Sequence, residues 1–146
     1  MIKQINLDRH GKGVFSVICL GIIYDPKEKK ILIGHRANDP NIPALSWCFP
    51  GGRPEYGEEL ETAVKREIKE ETDLDVESLG VIFARRYPEK NEFLGIYYLC
   101  EALNPQDELI PGDNFSELKW VNPEDVEEYF TISLHEKLKE YLINLK

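Results

Sequence analysis

The chain has 146 residues, enough for one domain with a real core and too few for two comfortable ones. Its 27 acidic residues outnumber its 18 lysines and arginines, and the formal net charge of -9 argues against a general binder of nucleic-acid backbones. Three cysteines, Cys19, Cys48 and Cys100, form no C-x-x-C pair and have apolar or aromatic neighbours, so free buried thiols and a reducing compartment are expected.

Residues 1–13 are polar with scattered charge and read as an irregular lead-in or an edge segment. Residues 14–24 are rich in Val, Ile and aromatics and predict a buried strand; the run is too short to span a bilayer. No secretory signal is evident, and a soluble cytoplasmic protein is expected. Asp25, Pro26 and Lys27 supply turn chemistry, and residues 31–36 return as the second strand of a hairpin. Residues 37–45 read as a loop, and 47–49 as a short extended piece stopped by Pro50 and a glycine pair. A helix is predicted from Glu58 or Glu59 to Thr72 or Asp73, with acids in its first turn as the macrodipole favours. Residues 81–87 and 93–103 predict two strands joined at 88–91. A polar loop over 104–114 leads to a short strand over 117–121, and residues 123–129 form a helical turn. A closing helix over 133–145 carries Leu134, Leu138, Leu142 and Leu145 on one stripe. No internal repeat or linker interrupts the chain, so one domain over 1–146 is expected, a mixed sheet of α/β class covered on both faces.

The predicted first helix holds the informative pattern. Between Gly52 and Leu74 the chain reads Gly-x5-Glu-x7-Arg-Glu-Ile-x-Glu-Glu-x2-Leu. Glu67, Glu70 and Glu71 fall at i, i+3 and i+4 and share one side of a helix. With Leu60 as origin and about 100° per residue, Glu67 and Glu71 lie within about 20° of it. They therefore sit among Ala63, Val64, Ile68 and Leu74, with Glu70 at the sector's edge, while Lys65 and Lys69 point away. A solvated helix would do the reverse. Unpaired acids in an apolar sector repel one another and are costly to desolvate, so a cation among them is expected. Hard divalent ions such as Mg²⁺ or Mn²⁺ take oxygen ligands of this kind.

This stretch resembles the signature box of the Nudix hydrolases, which cleave nucleoside diphosphates linked to another moiety. Asp73 stands where the box usually has glycine, a left-handed position that Asp tolerates moderately well. ILIGHRAN, SWCFPGGRPEYGE and SELKWVNPEDV also look like this family. The resemblance implies an α/β/α sandwich with a mixed sheet, in which the box forms a loop-helix-loop unit. It implies Glu67, Glu70 and Glu71 as carboxylate metal ligands, with a carbonyl of Gly51 or Gly52 as backbone ligand; Gly51 is also a substrate-binding candidate. It implies further that Arg66 holds the box glutamates in place and that Glu58 is its partner.

Arg36 and Arg53 flank the site in sequence and are candidates to bind phosphate. The general base is open among a box glutamate, Asp113, Glu117, Glu89 and Glu92. Phe15, Trp47, Tyr87 and Tyr97 are candidates to stack a base, although strand aromatics are more often core, and His35 reads as an ordinary strand residue. The implied activity is Mg²⁺-dependent hydrolysis of a nucleoside diphosphate derivative or a nucleoside triphosphate. The competing possibility is a silent nucleotide-sensing or RNA-binding module; such modules commonly lose box glutamates, and all are present here. Family members are often dimers, so a homodimer is compatible, but no exposed apolar stripe demands one. No stable nucleic-acid or membrane partner is expected.

Overall fold

The run beginning near residue 14 forms β1, Ser16–Asp25, and the returning run forms β2, Lys30–His35, in a computed structural model describing residues 13–36, 42, 46–112 and 114–145. Buried Asp25 makes the turn between them. Its Oδ1 accepts from the Lys27 and Glu28 amides at 3.0 and 3.3 Å, an Asx turn that ends the strand. Together with β3 (Trp47–Cys48), β5 (Val76–Tyr87) and β6 (Lys90–Ala102), these strands form a sheet in the order β3-β2-β1-β6-β5. Two more strands complete it: β4 (Gly51–Gly52) pairs with β1, and β7 (Glu117–Val121) pairs with β2. β1 and β6 run parallel, from Ser16 opposite Phe93 to Tyr24 opposite Glu101; the other pairings are antiparallel.

Alternation along β1 divides the core into two layers. Leu20, Ile22 and Tyr24 pack on one face with Val126 of α2 (Val126–Tyr129) and Leu138 and Leu142 of α3 (Glu136–Ile143). Cys19 and Ile23 pack on the other face with Val64 and Ile68 of α1 (Leu60–Thr72). Each fully buried Ile or Leu stabilises the fold by about 1.5–3 kcal/mol, so both faces of the sheet have to be covered. The result is the expected α/β sandwich built on a mixed sheet.

Among the differences from expectation are two element boundaries and the exposure of Leu60. β5 begins at Val76, because Val76 is buried beneath α1 and pairs with Ala102 although its exposed neighbours hide the strand pattern. The closing helix begins at Glu136, with His135 as its cap: Nδ1 accepts from the Lys137 amide at 3.1 Å, and residues 133–135 stay outside the helix. Leu60 is 36% exposed, since it opens the first turn of α1 and does not reach the core that holds Ala63, Val64 and Ile68. The far end of α1 closes at Asp73, which takes the left-handed conformation at φ 65° and donates its amide to the Lys69 carbonyl at 3.0 Å.

All three cysteines are free and buried, and burial pushes the Cys19 and Cys100 thiols up to about 11 and about 12. Among the described residues no helix is long and apolar enough to cross a membrane. The expectations for residues 1–12, for 37–45 apart from Ile42, and for Asp113 lie outside the described residues.

Candidate functional site

The inner face of α1 lies against the glycine pair of β4. A side chain at Gly52 would put its Cβ 2.6 Å from the Glu67 carboxyl group, and one at Gly51 would put it 2.1 Å from the Cys19 carbonyl oxygen. Glycine at both positions therefore lets β4 lie between β1 and the helical carboxylates. The Gly51 amide donates to Glu71 Oε1 at 2.9 Å. Glu71 is only 3% exposed, and its Oε2 is buried with no hydrogen-bond partner among the described residues. Burial pushes its carboxyl up to about 8, against the downward pull of the Gly51 amide; Glu67 raises it further and Arg36 draws it down.

The three glutamates are not equivalent. Side-chain exposure is 16% for Glu67 and 58% for Glu70, so the helix carries them from interior to rim. Arg66 binds this series together. Its Nε and Nη2 grip Glu58 at 2.8 and 2.9 Å, and Nη1 reaches Glu67 at 3.0 Å and Glu70 at 3.3 Å. Nη2 also lies 3.4 Å from the Arg53 carbonyl. Hydrogen bonding to Arg66, before any other cause, holds Glu58 down at about 2. Burial raises Glu67, and the Arg66 bond partly offsets it. The bidentate grip on Glu58 fixes the guanidinium, which leaves one nitrogen to orient the two acids that follow.

Beside the glycines opens a cavity of about 360 Å³. Arg36, Arg53, Gly51, Gly52 and Glu67 line it near the helix, and Phe49, Tyr87, Phe93, Tyr97 and Phe130 supply aromatic wall. The structure thus brings together Gly51, Gly52, Glu58, Arg66, Glu67, Glu70, Glu71, Arg36 and Arg53 around one helix and one cavity. Of the stacking candidates, Tyr87 and Tyr97 line the cavity, but both are buried. Phe15 is exposed, and Trp47 meets His35 and Tyr129 edge-on at 5.1 and 5.3 Å, away from the lining. His35 is engaged by Ser116 Oγ at 2.8 Å. Among the base candidates, Glu117 is exposed on β7, Glu92 pairs with Lys90 at 3.3 Å, and Glu89 accepts from Ser133. None of these three lines the cavity. Sequence reasoning missed Arg85, Asn114, Phe130 and Ser133, which do. Period-two spacing from Tyr87 places Arg85 on the same side of β5, a signal that was available.

The donor set suits a hard divalent cation. It consists of carboxylate oxygens, one of them buried and unpartnered, beside backbone that only glycine permits. Among the described residues no three acidic, His or Cys side chains already form a closed cage, and Arg66 occupies oxygens of Glu67 and Glu70. Mg²⁺ needs no such cage, since it keeps several waters and is commonly held by one or two carboxylates together with substrate phosphates.

The NUDIX domain pattern matches residues 15–142. The ADP-ribose pyrophosphatase of Methanocaldococcus jannaschii is 34% identical over 125 residues, covering 82% of this chain and 70% of that protein. The nucleoside triphosphatase NudI of Escherichia coli strain SE11 is 28% identical over 108 residues, covering 67% of this chain and 77% of that protein. In three dimensions the chain is similar to the MutT protein of Methanosarcina mazei Go1, with a TM-score of 0.73 at 17% identity, over 88% of this chain and 93% of that one.

Proposed function

The chain belongs to the NUDIX domain family and is a Nudix hydrolase, and from that premise we propose that it is a Mg²⁺-dependent pyrophosphohydrolase of nucleotide derivatives. Its substrate is a nucleoside diphosphate joined to another moiety, or a nucleoside triphosphate. The products are a nucleoside monophosphate and either a second phosphorylated product or pyrophosphate. The observation that carries this proposal is the buried carboxylate of Glu71, bonded through one oxygen to Gly51 and, among the described residues, unpartnered at the other; Gly51 in turn lines the cavity that holds Arg36 and Arg53.

Glu67, Glu70 and Glu71, with a Gly52 carbonyl, would hold the cation; Mn²⁺ is the alternative ion. Bound there, it supplies neutralisation of phosphate charge and acidification of water. The side chains do the rest. Glu58 fixes Arg66, which sets the rotamers of Glu67 and Glu70 before substrate arrives. Arg36 and Arg53 offer planar forks for phosphate oxygens, and the absence of a Cβ at Gly51 and Gly52 lets the backbone of β4 lie against both β1 and the Glu67 carboxylate. The apolar and aromatic wall excludes water from the rest of the substrate.

A panel of ADP-ribose, nucleotide sugars and nucleoside triphosphates, with and without Mg²⁺, tests the proposal by release of monophosphate and pyrophosphate. At least one compound is hydrolysed, and chelation abolishes turnover. Nucleotide binding without turnover of any of them would instead make the chain a silent sensor.

A further inference from the structure

The cavity has a far end that the carboxylates do not reach. Gly52 pairs with Cys19, Cys19 with Ile96 and Ile96 with Ala84. Arg85, next along β5, therefore stands three strand spacings from the glycine pair, about 14 Å. There, opposite charges from one hairpin grip a single residue. Arg85 Nη2 donates to the Ser133 carbonyl at 2.9 Å, and Nη1 lies 3.3 Å from Ser133 Oγ. Glu89, in the turn between β5 and β6, accepts from the Ser133 amide at 3.2 Å and from its hydroxyl at 2.9 Å. Amide, carbonyl and hydroxyl of Ser133 are all engaged.

Arg85 is itself held, its Nε 3.4 Å from the Tyr97 hydroxyl and its guanidinium 5.3 Å from the Tyr87 ring centre. The residue it grips lies in the strap between α2 and α3. Phe130, Ile132 and Leu134 of that strap line the cavity, and Phe130 meets Phe49 edge-on at 4.9 Å. The strap's two ends are anchored by buried Val126 and Leu138; Ser133 is where the hairpin holds its middle.

We infer that Arg85 and Glu89 are positioning residues for substrate specificity. Acting through Ser133, they hold the wall against which the nucleoside end of the substrate packs. A nucleoside diphosphate bridges the span from the glycine pair to this wall, whereas bare pyrophosphate does not. Aromatic rings beside a pinned strap suit a flat base. The assignment rests on the cavity being the nucleotide site, and it removes Glu89 from the candidates for general base, since its carboxylate is spent on Ser133 far from the helical acids.

The test uses the whole chain with Ser133→Ala, Glu89→Gln and the double variant, assayed on whichever nucleotide of the panel the unaltered chain hydrolyses best. Each single change is expected to raise KM about tenfold while kcat falls less than threefold, a loss of binding shared by ground and transition states. The double variant is expected to be no worse than the worse single one, because both changes weaken the same bond of the clamp, from the Ser133 hydroxyl to Glu89. Unaltered KM in both single variants overturns the inference. So does a collapse of kcat in Glu89→Gln at constant KM, which would make Glu89 the base. Calorimetric binding of AMP and GMP reads the clamp without turnover: wild-type binding that weakens about tenfold in the variants supports it, and unchanged binding overturns it. Turnover with no variant effect refutes the clamp alone, whereas clamp-dependent binding without turnover refutes only the hydrolase assignment.

Discussion

A carboxylate as buried as Glu71 keeps its proton when no cation is near, and its affinity for that proton, pushed up to about 8 by burial, makes metal-free stability depend on pH. The folded state holds the proton above the ordinary carboxylate value of 4.5, where the unfolded chain has released it. Stability is therefore fully present below about 4.5 and falls as pH rises towards about 8, where it levels off. Glu67, raised by burial, adds in the same direction. Thermal melts in chelator are expected to show the melting temperature declining across this window. Mg²⁺ should reverse the decline by binding the ionised folded form. Glu71→Gln should flatten the curve and cut turnover by several orders of magnitude with the fold retained. A variant that keeps the pH slope, or keeps wild-type turnover, would remove Glu71 from the site. The spacing of these acids on an apolar sector was legible in the sequence. So was the exposure of Glu70, which sits at that sector's edge; the bond of Glu71 to Gly51 was not, because it depends on how β4 meets the helix.

At the scale of the element, α1 is fixed at its far end by a loop remote in sequence. The Gly112 amide donates to the Glu71 carbonyl at 2.9 Å and the Ile110 amide to the Thr72 carbonyl at 3.2 Å, so two carbonyls left over by the helix end find partners. A Cβ at Gly112 would lie 2.4 Å from the Glu70 carbonyl oxygen, which is backbone and has little room to move. Gly112→Ala is expected to cost about 1–3 kcal/mol through lost helix-end hydrogen bonds. It should also raise the Mg²⁺ concentration needed for half-maximal turnover, since the displaced backbone carries Glu70 and Glu71. Chemical denaturation and a metal titration check the two effects; a stable variant with unchanged metal demand contradicts both. Asp73 offers the opposite change. Its left-handed backbone, φ 65°, costs a side-chain-bearing residue roughly 1 kcal/mol. Asp73→Gly should therefore stabilise by up to about that amount, less whatever the exposed Lys69 contact at 3.7 Å contributes. Equilibrium denaturation giving a lower midpoint would refute it. The helix was legible because periodicity is a local signal, and its left-handed end because Asp73 stands where the family's box has glycine. The docking of Gly112 was not, since no periodicity in a polar loop names the helix it will meet.

On the scale of the whole molecule, most strands announced themselves, β4 excepted, while the choice of partner beyond the β1–β2 hairpin did not. β1 and β6 are joined in parallel across the middle of the sheet, and this pairing sets Arg85, Tyr87 and Phe93 around the same cavity as a glycine pair remote in sequence. Hydrophobic alternation gives a strand its two faces and leaves its neighbours open, so the far end of the cavity stayed hidden. The same assembly separates charge by place. The chain carries a net charge of -9, yet Arg36, Arg53 and Arg85 line one cavity with Glu67 as the acid among them. Affinity for a nucleic-acid backbone needs cations along an outer face, where each neutralised phosphate releases a counterion. Cations gathered in a cavity within an acidic surface instead suit one small polyanion. Fluorescence anisotropy with a short single-stranded RNA at near-physiological salt is expected to show no binding at micromolar protein, while calorimetry detects mononucleotides binding to the cavity. Micromolar RNA binding that weakens steeply with added salt would mean that the acidic surface does not exclude the polymer.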